Sequence, residues 1–120
     1  MKAPPLDPAL VRFANDSFYR VFAARDMRAM TELWAEEHPV FCLHPGWPAL
    51  HGRDEVLESW ARILANPQSP AISPYGARVQ VHGEVAVVVC YEQLPVGVCI
   101  ASNGFTYEYE RVRMLWHQSG

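Results

Sequence analysis

The sequence predicts a single α+β domain, in which three helices in the first half pack on one face of an antiparallel sheet. Apolar residues recur at helical spacing before residue 66 and at alternating spacing beyond residue 70. The length of 120 residues is enough to bury one hydrophobic core without disulfides or metals. We therefore expect residues 1–120 to fold as one unit. A strongly curved sheet with helices on its concave face would enclose a cavity.

Each predicted helix has a start or stop signal. At Asp7-Pro8, the carboxylate can accept hydrogen bonds from free backbone N–H groups, and proline lacks the N–H that would be unpaired. Asp26 can cap a shorter second helix, and Asn66-Pro67 ends the third. The residues expected to face the core are Leu10, Ala14, Phe18, Val21, Phe22, Met27, Met30, Leu33, Trp34, Val56, Leu57, Trp60, Ile63 and Leu64.

The second half of the chain has the pattern of β-strands. Both faces of the run from Val85 to Glu92 are largely apolar, which predicts a central strand covered on both sides. The next strand carries Asn103, and the last is expected from about Val112 to Gln118. Because three helices can cover only one face of the sheet, the other face is expected to meet a second subunit in a homodimer.

Composition argues against several functional classes. Half of the residues are hydrophobic and the net charge is only −3, as in an ordered globular protein. The ten Lys and Arg residues are scattered, whereas a nucleic-acid surface needs a basic cluster. No apolar run approaches the roughly 20 residues of a membrane span, and the N-terminal segment lacks the apolar core of a secretion signal. Three cysteines without metal spacing indicate free thiols, and hence the cytoplasm.

The loop from His44 to Arg53 is the most informative segment of the chain. It contains two prolines, two glycines, Trp47 and two histidines between a strand-like and a helix-like run. Proline fixes φ and glycine permits positive φ, so the segment reads as one specific loop. A large aromatic side chain and groups that titrate near neutrality suit the mouth of a pocket. The alternative is a structural loop whose tryptophan fills the core.

The histidines of this region do not have the spacing of a metal site. His38, His44 and His51 are separated by gaps of six and seven residues across a helix end, a strand and a loop. A zinc site usually brings two ligands together at short helical or turn spacing. We therefore expect neither a metal nor another cofactor.

In order and spacing, several segments together resemble the NTF2-like superfamily, in particular its SnoaL-like branch of small bacterial proteins. They are the stretch from Phe18-Tyr19 to Asp26-Met27, the loop with Trp60 behind it, and the tail from Ala101 to Trp116-His117-Gln118. The resemblance covers nearly the whole chain. It implies a cone-shaped α+β fold with a deep pocket, in which the helices lie on the concave face of the sheet, and dimerisation through the sheet's outer face.

The ketosteroid isomerase branch of that superfamily implies candidate catalytic positions. With a two-residue gap, His44 falls at the position of the base; without the gap, Cys42 falls there. Asn103 falls at a late-strand donor position, and the first-helix tyrosine position falls on Phe18, next to Tyr19. A neutral histidine can act as a base near pH 7, and an asparagine can hold a carbonyl oxygen or an oxyanion. The alternatives are a histidine bonded to a backbone carbonyl and an asparagine that satisfies a β-bulge at Gly104.

Two further titratable residues are candidates on the late strands. His117 lies near the end of the last strand and is the third candidate catalytic residue. Glu92 is flanked by apolar residues; if buried, its carboxylate needs a raised pKa or a cation, which Arg113 or His117 could supply. Glu92 could equally lie exposed at the end of its strand. The residues expected to bind a ligand are Phe18, Tyr19, Trp47, Trp60, Tyr91 and Glu92.

These inferences predict a pocket that binds a small, mostly apolar molecule, lined by His44, Trp47, Asn103 and His117. Catalysis would be cofactor-free acid–base chemistry on a carbonyl compound, of the isomerase, dehydratase or cyclase type. The alternative is a non-catalytic ligand-binding or protein-association domain, which a pocket filled by Trp47 and phenylalanines would favour. If the four residues converge, Asn103→Leu is expected to abolish ligand binding with little loss of stability.

Overall fold

The computed structural model describes residues 6–120. Residues 1–5 lie outside the described range. They include the start of the predicted domain and of the segment that we expect not to be a secretion signal. This range contains three helices and six strands. They are α1 (Pro8–Ala24), α2 (Met27–Leu33), β1 (Phe41–Leu43), β2 (Leu50–His51), α3 (Arg53–Ala65), β3 (Ser73–His82), β4 (Val85–Leu94), β5 (Gly97–Glu108) and β6 (Arg111–Ser119). The α+β class and the order of helices before the long strands are as predicted.

The helix boundaries follow from their capping residues. The Asp7 carboxylate accepts from the Ala9 N–H at 2.9 Å, and the Asp26 carboxylate accepts from the Ala29 N–H at 3.0 Å. Both predicted caps are confirmed. α2 is short because Trp34 leaves the helical backbone and forms a bridge with Met114 of β6. No helix among residues 6–120 combines the length and apolar character needed to cross a lipid bilayer.

The strands form one curved sheet in the order β2-β1-β6-β5-β4-β3. All neighbours are antiparallel except β1 and β6, which run parallel, with Cys42 opposite His117. This parallel pair was not expected from the sequence, because strands as short as β1 have no clear periodicity. It brings the loop that starts at His44 beside the end of β6. The two halves of the chain therefore meet where the predicted site residues lie.

The two faces of β4 have different environments. Ala86, Val88 and Cys90 on its inner face are buried against the helices, whereas Val89 is 45% and Tyr91 44% exposed on the outer face. The alternation of the two faces was predicted correctly. The predicted cover on both sides is not present in the single chain, because the helices lie on the concave face only.

The bulge in the late strands lies on β6 and not at Gly104. Asn103 pairs with His117 and Gly104 with Trp116, but Phe105 pairs with Met114, so Leu115 is the extra residue. β5 therefore keeps its alternation through this region, and Asn103 points toward the helices with none of its surface exposed.

Gly104 is required by close packing on the outer face. A Cβ atom at this position would overlap the indole ring of Trp116. That ring is stacked parallel to Phe41 of β1, with ring centroids 5.6 Å apart, and its N–H donates to the Ser102 hydroxyl at 2.9 Å. The glycine thus makes room for a tryptophan that joins three strands.

Candidate functional site

A cavity of about 530 Å³ lies between α3, the segment 66–72 and the inner face of the sheet. Such a volume is typical of sites for small molecules. The apolar part of its wall includes Phe22, Trp60, Ile63, Ile72 and Leu94, and the titratable part His44, Arg62, Glu92, Cys99 and His117. Trp47 forms part of the wall and does not fill the space.

The orientation of the His117 imidazole is fixed by a hydrogen bond to Asn103, which lies behind the cavity wall. Its Nδ1 lies 2.6 Å from Oδ1 of Asn103, and the Asn103 amide group donates to Asn15 Oδ1 at 2.8 Å and to the Tyr19 hydroxyl at 3.2 Å. Because both amide hydrogens are used, Oδ1 must accept, and the proton of neutral His117 sits on Nδ1. Nε2 then carries a lone pair, and no other described residue hydrogen-bonds it. His117 therefore offers a proton acceptor to the cavity.

Glu92 lies at the other end of the same hydrogen-bond network. Its side chain is buried and faces the cavity; Oε2 accepts from the Tyr19 hydroxyl at 2.6 Å and Oε1 from the Ser119 hydroxyl at 2.5 Å. Burial and the neighbouring Glu92 carboxylate hold the pKa of Tyr19 above its ordinary value. Tyr19 therefore stays protonated and joins Glu92 to Asn103.

His44 is held by α3 beside two tryptophans. Its Nε2 lies 2.9 Å from the Ser59 hydroxyl, which itself donates to the Val56 carbonyl at 2.7 Å. Ser59 must therefore accept, which places the His44 proton on Nε2 and a lone pair on Nδ1. The imidazole lies 5.0 Å from the Trp47 ring and 4.8 Å from the Trp60 ring, centroid to centroid.

Both imidazoles are neutral at pH 7. Burial lowers the pKa of His44 to about 4, with a further contribution from His117, and burial lowers the pKa of His117 to about 3. Their ring centroids are 6.2 Å apart, so two protons in this space would repel each other. Two uncharged imidazoles therefore line the cavity close to each other.

These shifts predict a loss of stability in acid. The folded pKa values lie below the ordinary 6.5, so as pH falls the unfolded chain takes up protons first. The stabilisation is fully present above about pH 7 and decreases between pH 6.5 and the folded values, by up to about 1.4 kcal/mol per pH unit for each histidine. Between pH 7 and pH 5, wild type should lose about 2 kcal/mol more unfolding free energy than His117→Gln, measured by urea denaturation.

An exposed histidine provides the control for this measurement. His82 lies at the end of β3 and is exposed, so His82→Gln should follow the wild-type pH profile. Equal pH profiles for wild type and His117→Gln would show that His117 titrates alike in the folded and unfolded chains, contrary to the prediction.

The structure brings most of the predicted site residues together. The cavity described above is lined by His44, Trp47, Trp60, Glu92 and His117. Phe18 and Tyr19, which were expected to bind a ligand, do not line the cavity: Phe18 is buried behind the wall, 4.9 Å from the His117 ring, and Tyr19 reaches Glu92 from α1.

Two further predicted positions are different in the structure. Tyr91 lies on the outer face of β4, stacked on Tyr75, because its neighbours Cys90 and Glu92 take the inward positions. Asn103 lies behind His117 and not in the cavity wall, and both of its amide hydrogens are engaged. The expected donor to a substrate oxyanion is thus a residue that positions His117.

The environment of Glu92 also differs from the sequence alternatives. It is buried, and neither Arg113 nor His117 pairs with it: Arg113 lies 3.7 Å from Glu36, and His117 bonds Asn103. Two hydroxyl groups take the place of the expected cation. Ser119 could have been found from the alternation of β6, since it lies two residues beyond His117 on the same face.

Arg25 was also missed as part of the site. Its guanidinium donates to the carbonyls of Leu64, Asn66 and Ser69, at 3.3, 2.8 and 2.9 Å. These bonds fix the segment 66–72, which forms one wall of the cavity. Across residues 6–120, His, Cys, Asp and Glu side chains form no group of three or more suited to a metal ion.

The cone of curved sheet and helices around a polar-lined cavity is the architecture of the NTF2-like, cystatin-like fold. A family model described as the SnoaL-like domain matches residues 11–119, and the chain belongs to this family. The predicted superfamily is thereby confirmed.

Solved structures share the fold over nearly the full chain. An NTF2-like family protein from Streptomyces avermitilis, with a proposed dehydratase activity, is 32% identical, with a TM-score of 0.84 over 94% of both chains. The CaMKII hub of S. rosetta is 15% identical, with a TM-score of 0.76 over 98% of both chains, and at this identity it supports the fold alone.

One curated relative is much longer than this chain. The F-box protein SKIP8 of Arabidopsis thaliana is 26% identical over 107 residues, which cover 88% of this chain and 46% of the relative. The chain thus spans about half the length of the curated relative it matches.

Proposed function

We propose that this protein binds a small, mostly apolar carbonyl compound in the cavity and moves a proton on it without a cofactor, in an isomerisation, dehydration or related cyclisation. One observation carries the proposal: Asn103 fixes the tautomer of His117, a residue of the cavity wall, and leaves on Nε2 a lone pair with no hydrogen-bond partner among the described residues. The apolar wall would hold the hydrocarbon part of the substrate. The similarity to a protein with a proposed dehydratase activity supports the same reaction class.

In the proposed first step, Nε2 of His117 takes a proton from the carbon next to the substrate carbonyl. The electrons of the C–H bond move into a C=C bond, and those of the C=O bond move onto oxygen, which gives an enolate and an imidazolium. Oδ1 of Asn103 accepts from Nδ1 and stabilises the imidazolium. Donation from Asn103 to Asn15 and Tyr19 extends this polarisation through the network.

In the second step the imidazolium returns its proton. In an isomerisation the proton goes to another carbon of the enolate, whereas in a dehydration it leaves with a β-hydroxyl group as water. In a cyclisation, the enolate carbon attacks a second carbonyl, and the proton goes to the resulting alkoxide. Each route regenerates neutral His117. The developing oxyanion can be stabilised by N–H donors in the wall, among them Arg62, Asn66 and Gln68.

The test is hydrogen exchange on small ketones. The protein is incubated in D₂O with cyclohexanone or with 2-phenylpropanal, and loss of the α-proton signal is followed by NMR. Wild type should exceed buffer, and His117→Gln should slow the exchange by about 100-fold or more, as is typical when a general base is removed. Gln can still donate to Asn103, so the network is preserved. His82→Gln is the control and should exchange at the wild-type rate.

The proposal fails if neither compound exchanges faster than in buffer, or if His117→Gln exchanges as fast as wild type. The alternative would then be favoured, a ligand-binding or protein-association domain without catalysis. An observation that supports this alternative is the outer face of the sheet, where Tyr75, Val89, Tyr91, Val98 and Ile100 are all large, apolar and exposed.

The same outer face supports a homodimer. The exposed apolar side chains lie on β3, β4 and β5, on the side opposite the helices, and a second copy could cover them by a two-fold interface. Light scattering at micromolar concentration should give twice the 13.6 kDa of one chain; the single-chain mass would exclude the dimer. We place the protein in the cytoplasm, because Cys42, Cys90 and Cys99 are free thiols.

A further inference from the structure

The carboxylate of Glu92 has no cationic partner among residues 6–120. Its side chain is 1% exposed, and no Lys, Arg or His nitrogen among residues 6–120 lies within 4.0 Å of its oxygens. Burial of a carboxylate without a counter-charge is costly, and hydroxyl donors offset only part of that cost. Tyr19 and Ser119 use one lone pair on each oxygen, so each oxygen keeps an acceptor position, and Glu92 lines the cavity.

The other charged and titratable groups around the cavity do not neutralise Glu92. His44 and His117 are neutral at pH 7, and Cys99 lies opposite Glu92 on β5. Arg62 is exposed, and its guanidinium lies over the Trp47 ring, 5.6 Å from the ring centroid. The inner part of the cavity therefore presents a carboxyl group without a cationic partner among residues 6–120, beside an aromatic and aliphatic wall.

We infer that the ligand of this cavity has a protonated amine that pairs with Glu92, attached to an apolar body. The ammonium group would supply the missing counter-charge and donate to the free acceptor positions of the carboxylate. The aromatic wall adds a further attraction, since the faces of Trp rings favour cations. This inference rests on the proposed function in one respect: it makes the substrate of the same cavity an amino carbonyl compound.

A purely structural role of Glu92 makes a different prediction. In a structural role, Glu92 would only connect Tyr19 of α1 to Ser119 of β6 through its two hydrogen bonds. Glutamine has the same length and one acceptor oxygen, so it would keep one of these hydrogen bonds. The two roles therefore differ in whether removal of the charge alters the choice of ligand.

The test compares three probes of nearly equal shape and different charge. They are 2-phenylethylamine, which is protonated at pH 7, the neutral 2-phenylethanol and the anionic phenylacetate. By calorimetry, wild type should bind the amine at least tenfold more tightly than the alcohol and the acid. Glu92→Gln should bind the amine and the alcohol equally. Glu84→Gln, at the exposed turn before β4, should keep the wild-type preference.

A second readout needs no variant. Cys99 is partly exposed in the cavity, whereas Cys42 and Cys90 are buried, so iodoacetamide should label Cys99 first. The amine should slow this labelling in wild type, and the alcohol at the same concentration should not.

The inference is overturned if wild type does not bind the amine, if it binds the amine and the alcohol equally, or if the preference persists in Glu92→Gln. Preferred binding of phenylacetate would also overturn it and would assign the charged contact to Arg62. None of these measurements needs turnover. A failure here therefore leaves the exchange test of His117 standing, and a failure of that exchange test leaves this binding test standing.

Discussion

Asn103→Leu should lower the free energy of unfolding by about 3 kcal/mol, because it leaves two buried polar groups without partners at about 1–3 kcal/mol each. The groups are Nδ1–H of His117 and Oδ1 of Asn15. Tyr19 loses an incoming bond but keeps its donation to Glu92. Urea denaturation with a far-UV circular dichroism readout measures the change. This reverses the expectation from sequence that the substitution would cost little stability.

Asn15→Leu is the matched control for this prediction. Asn15 is also buried and in the same network, but its amide nitrogen has no hydrogen-bond partner among the described residues. Its replacement removes that unpaired group and leaves unbonded only one of the two N–H groups of Asn103, so the loss should be about 1 kcal/mol. Equal losses of unfolding free energy for the two variants would show that Asn103 contributes no more to the stability of the network than Asn15 does.

Gly104→Ala should cost about 2–4 kcal/mol, because the added methyl group would force the Trp116 ring from its place. The displaced ring would lose its stacking on Phe41 and its hydrogen bond to Ser102. Neither the lost stacking nor the lost hydrogen bond depends on the φ angle of residue 104. The expected loss of stability therefore comes from the volume of the added methyl group.

A double-mutant cycle isolates this effect. In a Trp116→Ala background the space beside Gly104 is empty, and Gly104→Ala should then cost less than about 1 kcal/mol. If Gly104→Ala costs as much without the tryptophan as with it, the glycine is needed for a reason other than packing. Thermal or urea unfolding of the four proteins gives the answer.

Local features of this fold were predictable from sequence, and pairings between distant residues were not. The caps at Asp7 and Asp26 depend on neighbours within three residues, and the faces of β4 depend on simple alternation. By contrast, β1 has only three residues, and a pattern of that length does not predict its parallel pairing with β6. The bulge was expected at Gly104 of β5 but lies at Leu115 of β6, because the glycine makes room for Trp116 and does not mark an extra residue.

The candidate site shows the same division. The loop chemistry singled out His44 and Trp47, and both line the cavity. The role of Asn103 depends on Asn15 and His117, which lie 88 positions before it and 14 after it. A polar residue next to Gly104 reads equally well as a donor to substrate or as a support for another side chain. Only the positions of its partners distinguish the two roles.

The place of β6 in the sheet has a consequence for how the chain is made. β6 follows every other described element in sequence, yet it lies inside the sheet, between β1 and β5. Before β6 is synthesised, the edge of β5 is open and available for pairing with another chain. His117 and Ser119 also arrive with this strand, so an incomplete chain has neither the base nor its enclosure. Covering of the β5 edge and assembly of the cavity thus both depend on the synthesis of β6.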